Sequence, residues 1–316
     1  VPVFETVGEA VAVGHPGNAV DGVLVIGEHG DYPNNELGQK LYPRRRLFDA
    51  VVAALVGMGR RVPIFVDKHL SWSFSHARRM YDSAARLGMP LLAGSSLPLA
   101  WRVPELEWPI GVDLETALAL GYGGIEGYGF HALETLQCMV ERRKGGETGV
   151  AAVQCLEGDD VWRAGDDDRW ARDLLEASLA TIDNKSRGPL REVAPSPAAF
   201  LITYRDGLDA VVLMLDCAIS EFAFAGRRGG AIDATCFRLH SGPPFGHFSF
   251  LTRQIESMVL TGRPPYPVER TLLTTGILDA AMRSRHLGHI SVETPELAIS
   301  YEPPERVEDT GVGHEP

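Results

Sequence analysis

The sequence predicts an α/β region followed by an α+β region within a chain of 316 residues. Short apolar runs alternate with amphipathic helical patterns over the first hundred residues, which favours a parallel sheet. From residue 149 onward, strand patterns follow one another with few helices between them, which favours a large, mostly antiparallel open sheet with helices. A connector that contains proline and tryptophan, residues 98–109, separates the two patterns.

The first region contains three buried strand patterns and two helices. Each strand is a short apolar run that ends in glycine or a polar loop, and each helix has one apolar face. Gly88 ends the second helix, as glycine does at many helix C-termini. The predicted strands span 23–26, 62–66 and 90–94, and the predicted helices span 46–58 and 74–87.

The second region begins with helical patterns and continues with strands. Residues 113–120 are predicted to form a short helix, and His131 is predicted to begin a longer one that ends near residue 143. Residues 205–207, Arg-Asp-Gly, are typical of a hairpin turn, and 166–182 of an exposed helix. The remaining predicted strands span 150–156, 200–204, 210–215, 220–225 and 231–239, and two closing helices span 247–260 and 268–285.

These patterns divide the chain into three segments. Residues 1–100 are expected to form the α/β domain, and residues 101–301 the α+β domain. The final segment, 302–316, is polar and contains proline, so we expect it to be mobile.

Composition narrows the class of partner. A formal net charge of −12 argues against a nucleic-acid partner, because phosphate binding needs a basic surface. No apolar run is long enough to span a bilayer, so no membrane partner is expected. The four cysteines have no CxxC spacing, which favours reduced thiols and a cytoplasmic location. Among the remaining classes of partner, a small-molecule substrate and a protein partner both stay open.

The loops that follow the three predicted parallel strands carry polar and titratable side chains. Parallel strands share a direction, so these loops meet at one rim of the sheet, where α/β proteins bind ligands. A lysine at such a rim can act as an acid or base or polarise a carbonyl or hydroxyl, and histidines can move protons or bind a divalent metal. The residues are Glu28, His29, Asp31, Asp67, Lys68, His69, Ser95 and Ser96.

His131 is a further candidate, because it follows a glycine-rich loop and is predicted to start a helix. Its ring can project into a cleft; the alternative is a helix-capping histidine. Arg102, next to Trp101 in the connector, is predicted to bind a hydroxyl or carboxylate of a ligand. His240 and His247 have no comparable context and are assigned to surface or interdomain positions. No HExxH or paired-cysteine motif is present, so no resident metal site is predicted.

Several of these segments resemble motifs of the Gfo/Idh/MocA oxidoreductases, the family of glucose–fructose oxidoreductase and inositol dehydrogenase. Residues 21–26 resemble the fourth strand of their nucleotide-binding sheet, and residues 67–71, Asp-Lys-His-Leu-Ser, resemble their Glu-Lys-Pro-Leu motif. Residues 123–131 resemble the glycine-rich loop that ends in the catalytic histidine of the family. The resemblance covers nearly the whole chain.

The resemblance implies a partial Rossmann-like domain and NAD- or NADP-linked oxidation of a sugar, polyol or sugar-acid hydroxyl. Lys68 and His131 take the catalytic positions, and the other candidates are assigned around them. We expect His29, His69, Glu126 and Arg102 to bind substrate, and Glu28, Asp67 and Ser95 to bind the cofactor. The family also implies a homo-oligomer with contacts through the C-terminal sheet.

Four departures from the family pattern are visible. The first β-α-β unit with its glycine motif is missing, so we expect an upstream segment of roughly 60 residues. His69 replaces the motif proline, and Glu28-His29 replaces a Thr-Pro pair. Gly127 stands where the family has an aspartate four residues before the histidine, although Glu126 is adjacent.

Two alternatives stay open at this point. The first is a cofactor-free or metal-assisted lyase or hydrolase that uses His29, Asp67, His69, Glu126 and His131. The second is a non-catalytic assembly or ligand-binding protein built around the C-terminal sheet.

Overall fold

A small parallel sheet forms from the first strand–helix alternation, as predicted. A computed structural model describes residues 1–15, 19–27, 30–240 and 242–314. The three strands pair in the order β1-β2-β3, and helices lie between them in the sequence. Their bounds are β1 Val23–Val25, β2 Ile64–Asp67 and β3 Leu91–Gly94, with α1 Val7–Val11, α2 Arg44–Gly57 and α3 Phe74–Leu87. Gly88 ends α3 in the left-handed conformation, with φ of 62°.

A second, mostly antiparallel sheet contains the later strands and confirms the predicted fold class. Within the described residues it has eight strands in the order β11-β6-β7-β8-β5-β9-β10-β4. Only the β5–β8 pair among these is parallel. The bounds are β4 Trp101–Val103, β5 Leu114–Gly121, β6 Val150–Glu157, β7 Ala198–Tyr204, β8 Asp209–Met214, β9 Phe222–Arg228, β10 Ala231–Arg238 and β11 Val292–Glu293.

The predicted short helix at 113–120 is wrong, because this segment is the interior strand β5. Leu118 and Leu120 are buried in one core cluster, whereas Ala117 and Ala119 are buried in the other. Over residues 117–120 the strand is buried on both faces and apolar at every position, so its sequence lacks the alternation that marks a half-exposed strand.

The remaining helices pack on the two faces of the large sheet. α4 and α9 cover one face, and α5 and α6 cover the other. Their bounds are α4 Gly127–Val140, α5 Asp159–Asp166, α6 Arg172–Ala180, α7 Leu190–Val193, α8 Phe248–Thr261 and α9 Glu269–His286. Two predictions need correction here. The helix predicted at 166–182 is shorter and half-buried, because only α6 lies within this range and its Leu174 and Leu175 are buried. α5 ends at Asp166, and α4 begins before His131, which lies in its second turn.

The helices on the large sheet limit the surface that is available for the predicted contact between copies of the chain. Trp162, Leu174 and Leu175 of α5 and α6 are buried against the large sheet, so this chain itself covers part of that face. Contact between copies through the rest of the sheet stays a prediction.

The final segment packs along the junction of the two regions. The Gln254 side chain donates to the carbonyl oxygen of Glu308 at 2.7 Å. The backbone amide of Gly311 donates to the carbonyl oxygen of Leu99 at 2.8 Å. The domain limits and the mobility of this tail stay predictions. Within the described ranges, no helix has the length and apolar character needed to cross a membrane.

Candidate active site

A cleft of ≈ 890 Å³ lies where the carboxyl ends of the parallel strands meet the large sheet. Asp67 lines it from the end of β2, Lys68 and Ser95 line it from the loops after β2 and β3, and His131 lines it from α4. The predicted juxtaposition of Lys68 and His131 in one cleft is therefore present in the structure. Lys68 and His131 come together because the loops that follow parallel strands lie at one rim of the sheet and α4 lies beside that rim.

Lys68 occupies an unusual backbone conformation at this rim. It follows β2 directly and has a φ of 58°, a left-handed conformation that lysine rarely adopts. A backbone bridge joins it to Gly94 at the end of β3. Such a conformation costs on the order of 1 kcal/mol or more and is concentrated at functional sites. The bridge therefore holds the lysine next to the loop that carries Ser95.

His131 is oriented by the hydroxyl group of Ser95. The ring Nδ1 and Ser95 Oγ are 2.7 Å apart, and the amide of Leu97 donates to the same oxygen at 3.2 Å. A hydroxyl can donate or accept, so Ser95 can support either neutral tautomer of the imidazole. An ionised carboxylate in the place of this hydroxyl could only accept a hydrogen bond, and would therefore favour the tautomer with the proton on Nδ1.

Glu134 is a buried acid behind this pair that sequence reasoning missed. Its Oε1 accepts from Thr274 Oγ1 at 2.7 Å, and its Oε2 accepts from the amide of Ser95 at 3.4 Å. Burial raises the pKa of Glu134 to about 7, although Arg270 opposes the shift. A glutamate within the apolar stripe of α4, one turn after His131, was the available signal.

His69, which is buried, and Glu126, which is partly buried, form a separate pair and do not line the cleft. Arg44 Nη1 lies 2.8 Å from His69 Nδ1, and His69 Nε2 lies 3.3 Å from Glu126 Oε1. A guanidinium only donates, so Nδ1 accepts and the ring proton sits on Nε2, facing the carboxylate. Burial lowers the pKa of His69, which keeps the ring neutral. Glu126 also lines a different surface cavity of ≈ 480 Å³.

Arg102 is also placed away from the cleft. Its Nη1 donates to the carbonyl oxygen of Leu106 at 2.9 Å and its Nη2 to that of Pro98 at 3.3 Å, and the guanidinium lies over the Phe237 ring. These contacts use the guanidinium to brace the connector. The structure thus does not bring the predicted substrate-binding arginine to the site.

Two predicted residues, Glu28 and His29, lie outside the described residues. In the part of the chain that the structure describes, no three His, Cys, Asp or Glu side chains are arranged to hold a metal ion.

Two histidines assigned to ordinary positions line the cleft instead. His240 stacks on Trp101 with ring centroids 4.4 Å apart, and His247 stacks on Phe248 at 4.3 Å. Burial lowers the pKa of His247. The Gly-Pro-Pro-Phe-Gly segment between them, residues 242–246, was a signal for a shaped loop, because such loops carry binding residues more often than helices do.

Comparison with known proteins identifies the fold. No protein-family model matches the sequence, and no curated protein matches it. Among solved structures, GenD2 from gentamicin A biosynthesis, in complex with NAD, superposes with a TM-score of 0.59. The identity is 15%, over 93% of this chain and 82% of that chain.

Two inositol dehydrogenases give similar values. The myo-inositol dehydrogenase of Lactobacillus casei, in complex with NAD(H) and myo-inositol, has a TM-score of 0.57 and 11% identity, covering 93% of this chain and 82% of that chain. The myo-inositol 2-dehydrogenase of Lactobacillus plantarum has a TM-score of 0.55 and 10% identity, covering 92% and 84%. The chain therefore has the fold of these dehydrogenases, as the motifs predict.

Proposed function

We propose that the chain is an NAD(P)-dependent oxidoreductase that acts on a hydroxyl group of a polyol or sugar. The observation that carries the proposal is the presence of Lys68 and His131 in one cleft between the two regions. The shared fold with NAD-bound dehydrogenases, one of them holding myo-inositol, supports the cofactor and the substrate class. Fold alone does not imply function, so the side chains of the cleft have to support the chemistry.

The described residues fit the nicotinamide end of such a cofactor. Leu24 and Ile26 at the end of β1 are 49% and 60% exposed and line the cleft, so they offer a flat apolar wall to an aromatic ring. Asp67 and Ser95 add polar groups beside that wall. In the described part of the parallel-sheet region, no helix begins in a glycine-rich loop that would cradle a pyrophosphate.

The side chains of the cleft can manage the proton of a reacting hydroxyl. When bound, the nicotinamide supplies or accepts hydride. His131 can take the hydroxyl proton on Nε2 when its Nδ1–H donates to Ser95 Oγ, and it returns the proton in the reverse direction. The Lys68 ammonium group can donate to the same substrate oxygen and stabilise its negative charge as the proton leaves.

The charges of the cleft favour a neutral substrate over a sugar acid. Among its described lining residues, Lys68 is the only lysine or arginine, whereas Asp67 and Glu221 are acidic. Arg238 lies outside this lining and binds Glu221 at 2.8 Å, so among the described lining residues Lys68 is the only lysine or arginine that could pair with a carboxylate or phosphate. Aromatic rings, including Tyr122 and Phe222, supply apolar surface for the faces of a sugar or cyclitol ring.

The direct test measures cofactor binding and turnover. We expect NAD⁺ or NADP⁺ to bind by calorimetry, and reduced nicotinamide to form with cyclitols and neutral sugars faster than with the matching sugar acids. Lys68→Met and His131→Asn should each lower kcat by roughly 10²- to 10⁴-fold. The exposed residues Lys144 and His286 provide the controls, as Lys144→Met and His286→Asn. Failure of both dinucleotides to bind would refute the proposed function.

A further inference from the structure

Helix α9 crosses the junction between the two regions and presents three buried threonines to it. It packs against α3 of the first region and against α4 and β6 of the second. Thr271, Thr274 and Thr275 are 0%, 0% and 1% exposed, so no solvent competes for their hydroxyl groups. Each hydroxyl bonds to a segment that supports the candidate active site.

Thr275 holds the loop that carries Lys68. The amide of Leu70, two residues after the lysine, donates to Thr275 Oγ1 at 3.2 Å in a buried environment. A buried amide without an acceptor is costly, so this bond favours one position of the loop relative to α9.

Thr271 holds the end of β3, from which Ser95 projects. Its hydroxyl donates to the carbonyl oxygen of Ala93 at 3.0 Å. The next residue, Gly94, has a φ of 125°, and a Cβ there would lie 2.8 Å from Thr271 Oγ1 and 2.7 Å from Glu134 Oε2. A side chain at position 94 would therefore force α9, α4 and β3 apart.

Thr274 completes the set through Glu134. Its hydroxyl donates to Glu134 Oε1, the other carboxylate oxygen accepts from the Ser95 amide, and Ser95 Oγ contacts His131 Nδ1. Glu134 and His131 lie three positions apart on α4, so they occupy the same side of the helix. The backbone and the hydroxyl of Ser95 are thus held by two residues of one helix.

We propose that Thr271, Thr274 and Thr275 make α9 the positioning element of the active site, which holds the Lys68 loop, the Ser95 loop and the His131 side chain in one arrangement. The proposal rests on the proposed function for its chemistry. The bonded atoms belong to both regions, so α9 sets the distance between the lysine and the histidine across the junction. A misplacement of about 1 Å at such a site can cost about 10²-fold in rate.

The test compares threonine-to-valine variants, which keep the shape of the side chain and remove the hydroxyl. We expect Thr271→Val and Thr275→Val to lower kcat about tenfold or more, whereas KM should change less, because the loss concerns alignment rather than binding. Thr271→Ser keeps the hydroxyl and should restore kcat to within about twofold of the wild type.

Thr294 provides a matched control, because it is a buried threonine that bonds to β6 and does not line the cleft. It is 0% exposed, and its hydroxyl donates to the carbonyl oxygen of Val150 at 3.0 Å, as that of Thr271 does to Ala93. Thr294→Val should lower the melting temperature as much as Thr271→Val does and leave kcat unchanged. Equal loss of kcat in both variants, or no loss in either, would overturn the proposal.

A second readout needs neither cofactor nor substrate. The ring nitrogens of His131 can be followed by NMR in ¹⁵N-histidine-labelled protein, with His131→Asn to assign the signals. Thr271→Val and Glu134→Gln should shift these signals, whereas Thr294→Val should not, and unchanged signals in all three would refute the positioning role. If the signals shift but no dinucleotide binds, the positioning of His131 stands and the proposed function fails.

Discussion

The two regions of the molecule differ in how completely they bury their strands. Among the described strands of the small sheet, β1 lies at an edge; Leu24 within it is 49% exposed and Ile26, directly after it, is 60% exposed. In the large sheet, Leu118 and Leu120 of β5 are 0% exposed, and helices cover both faces. The region of the small sheet supplies Lys68 and Ser95. The region of the large sheet supplies His131 and the helices α4 and α9, whose side chains contact the segments that carry all three residues. Lys68 and Ser95 thus lie on loops at the cleft, His131 lies on a helix, and buried elements of the second region set the geometry of all three.

Charged pairs show the same contrast. Arg270 and Glu141 are almost completely buried in the large region, with Arg270 Nε donating to Glu141 Oε2 at 2.8 Å and Tyr301 donating to the same oxygen at 2.7 Å. In the small region, Arg60 and Asp21 are 3.7 Å apart and well exposed. Solvent screens the second pair and not the first, so the two should respond very differently to mutation.

The largest expected effect comes from breaking the buried pair. Arg270→Met leaves the Glu141 carboxylate buried without its cation, and we expect the free energy of unfolding to fall by about 3–5 kcal/mol. Denaturant titration measures this loss. Arg60→Met, the control in the exposed pair, should change the value by less than about 1 kcal/mol. Similar losses in the two variants would break the comparison between the regions.

Truncation of leucine side chains tests burial in the two sheets directly. Leu118→Ala removes a completely buried side chain from β5 and should cost about 2–5 kcal/mol. Leu24→Ala removes a half-exposed side chain from β1 and should cost less than about 1 kcal/mol. Thermal or chemical unfolding of the two variants measures the loss of stability in each. A costly Leu24→Ala would show that β1 is covered in solution.

At the junction, the pH dependence of stability should report on Glu134. Its pKa is raised from 4.5 to about 7 in the folded protein, so between these values the folded state binds more protons than the unfolded state. Stability from this group is present at low pH and is lost as the pH rises, by up to about 3 kcal/mol.

Glu134→Gln should remove this dependence. We expect the stability of the variant, relative to the wild type, to increase between pH 5 and pH 8 (roughly the window in which Glu134 ionises). The exposed residue Glu192, changed to Gln, should show a constant difference over the same range. The quantity to follow is the difference in the free energy of unfolding between each variant and the wild type, because His69 also titrates and contributes equally to both proteins. Burial lowers its pKa, so its contribution is lost as the pH falls. A flat difference for Glu134→Gln would contradict an ionising buried acid.

The smallest expected effect is one that should not distinguish the regions. Gly88 ends α3 in the small region with φ of 62°, and Gly262 ends α8 with φ of 70°. Alanine in this conformation costs about 1 kcal/mol because its Cβ crowds the following carbonyl group. Gly88→Ala and Gly262→Ala should therefore lower the free energy of unfolding equally. Unequal losses would show that packing around one cap, not the backbone conformation, sets the cost.

Local rules were sufficient to predict much of this fold. The strand and helix of 62–66 and 74–87 were predicted within a few residues, because apolar runs, helical faces and C-terminal glycines act over short distances. Prediction failed at β5, where burial on both faces removed the alternation that identifies a strand. It also missed α5 and predicted the helix that contains α6 to be exposed, because their apolar positions face a sheet that the local sequence does not reveal.

The candidate site divides in the same way. The sequence by itself determined that Lys68 and Ser95 follow parallel strands, and a shared strand direction is enough to bring such residues to one rim. Only the tertiary structure decided that His69 and Arg102 turn away from the cleft, and that Glu134 and the threonines of α9 stand behind it. Thr274 and Glu134 are 140 positions apart, and Leu70 and Thr275 are 205 apart. Contacts over such separations depend on how whole elements pack, and no local pattern in the chain encodes that packing.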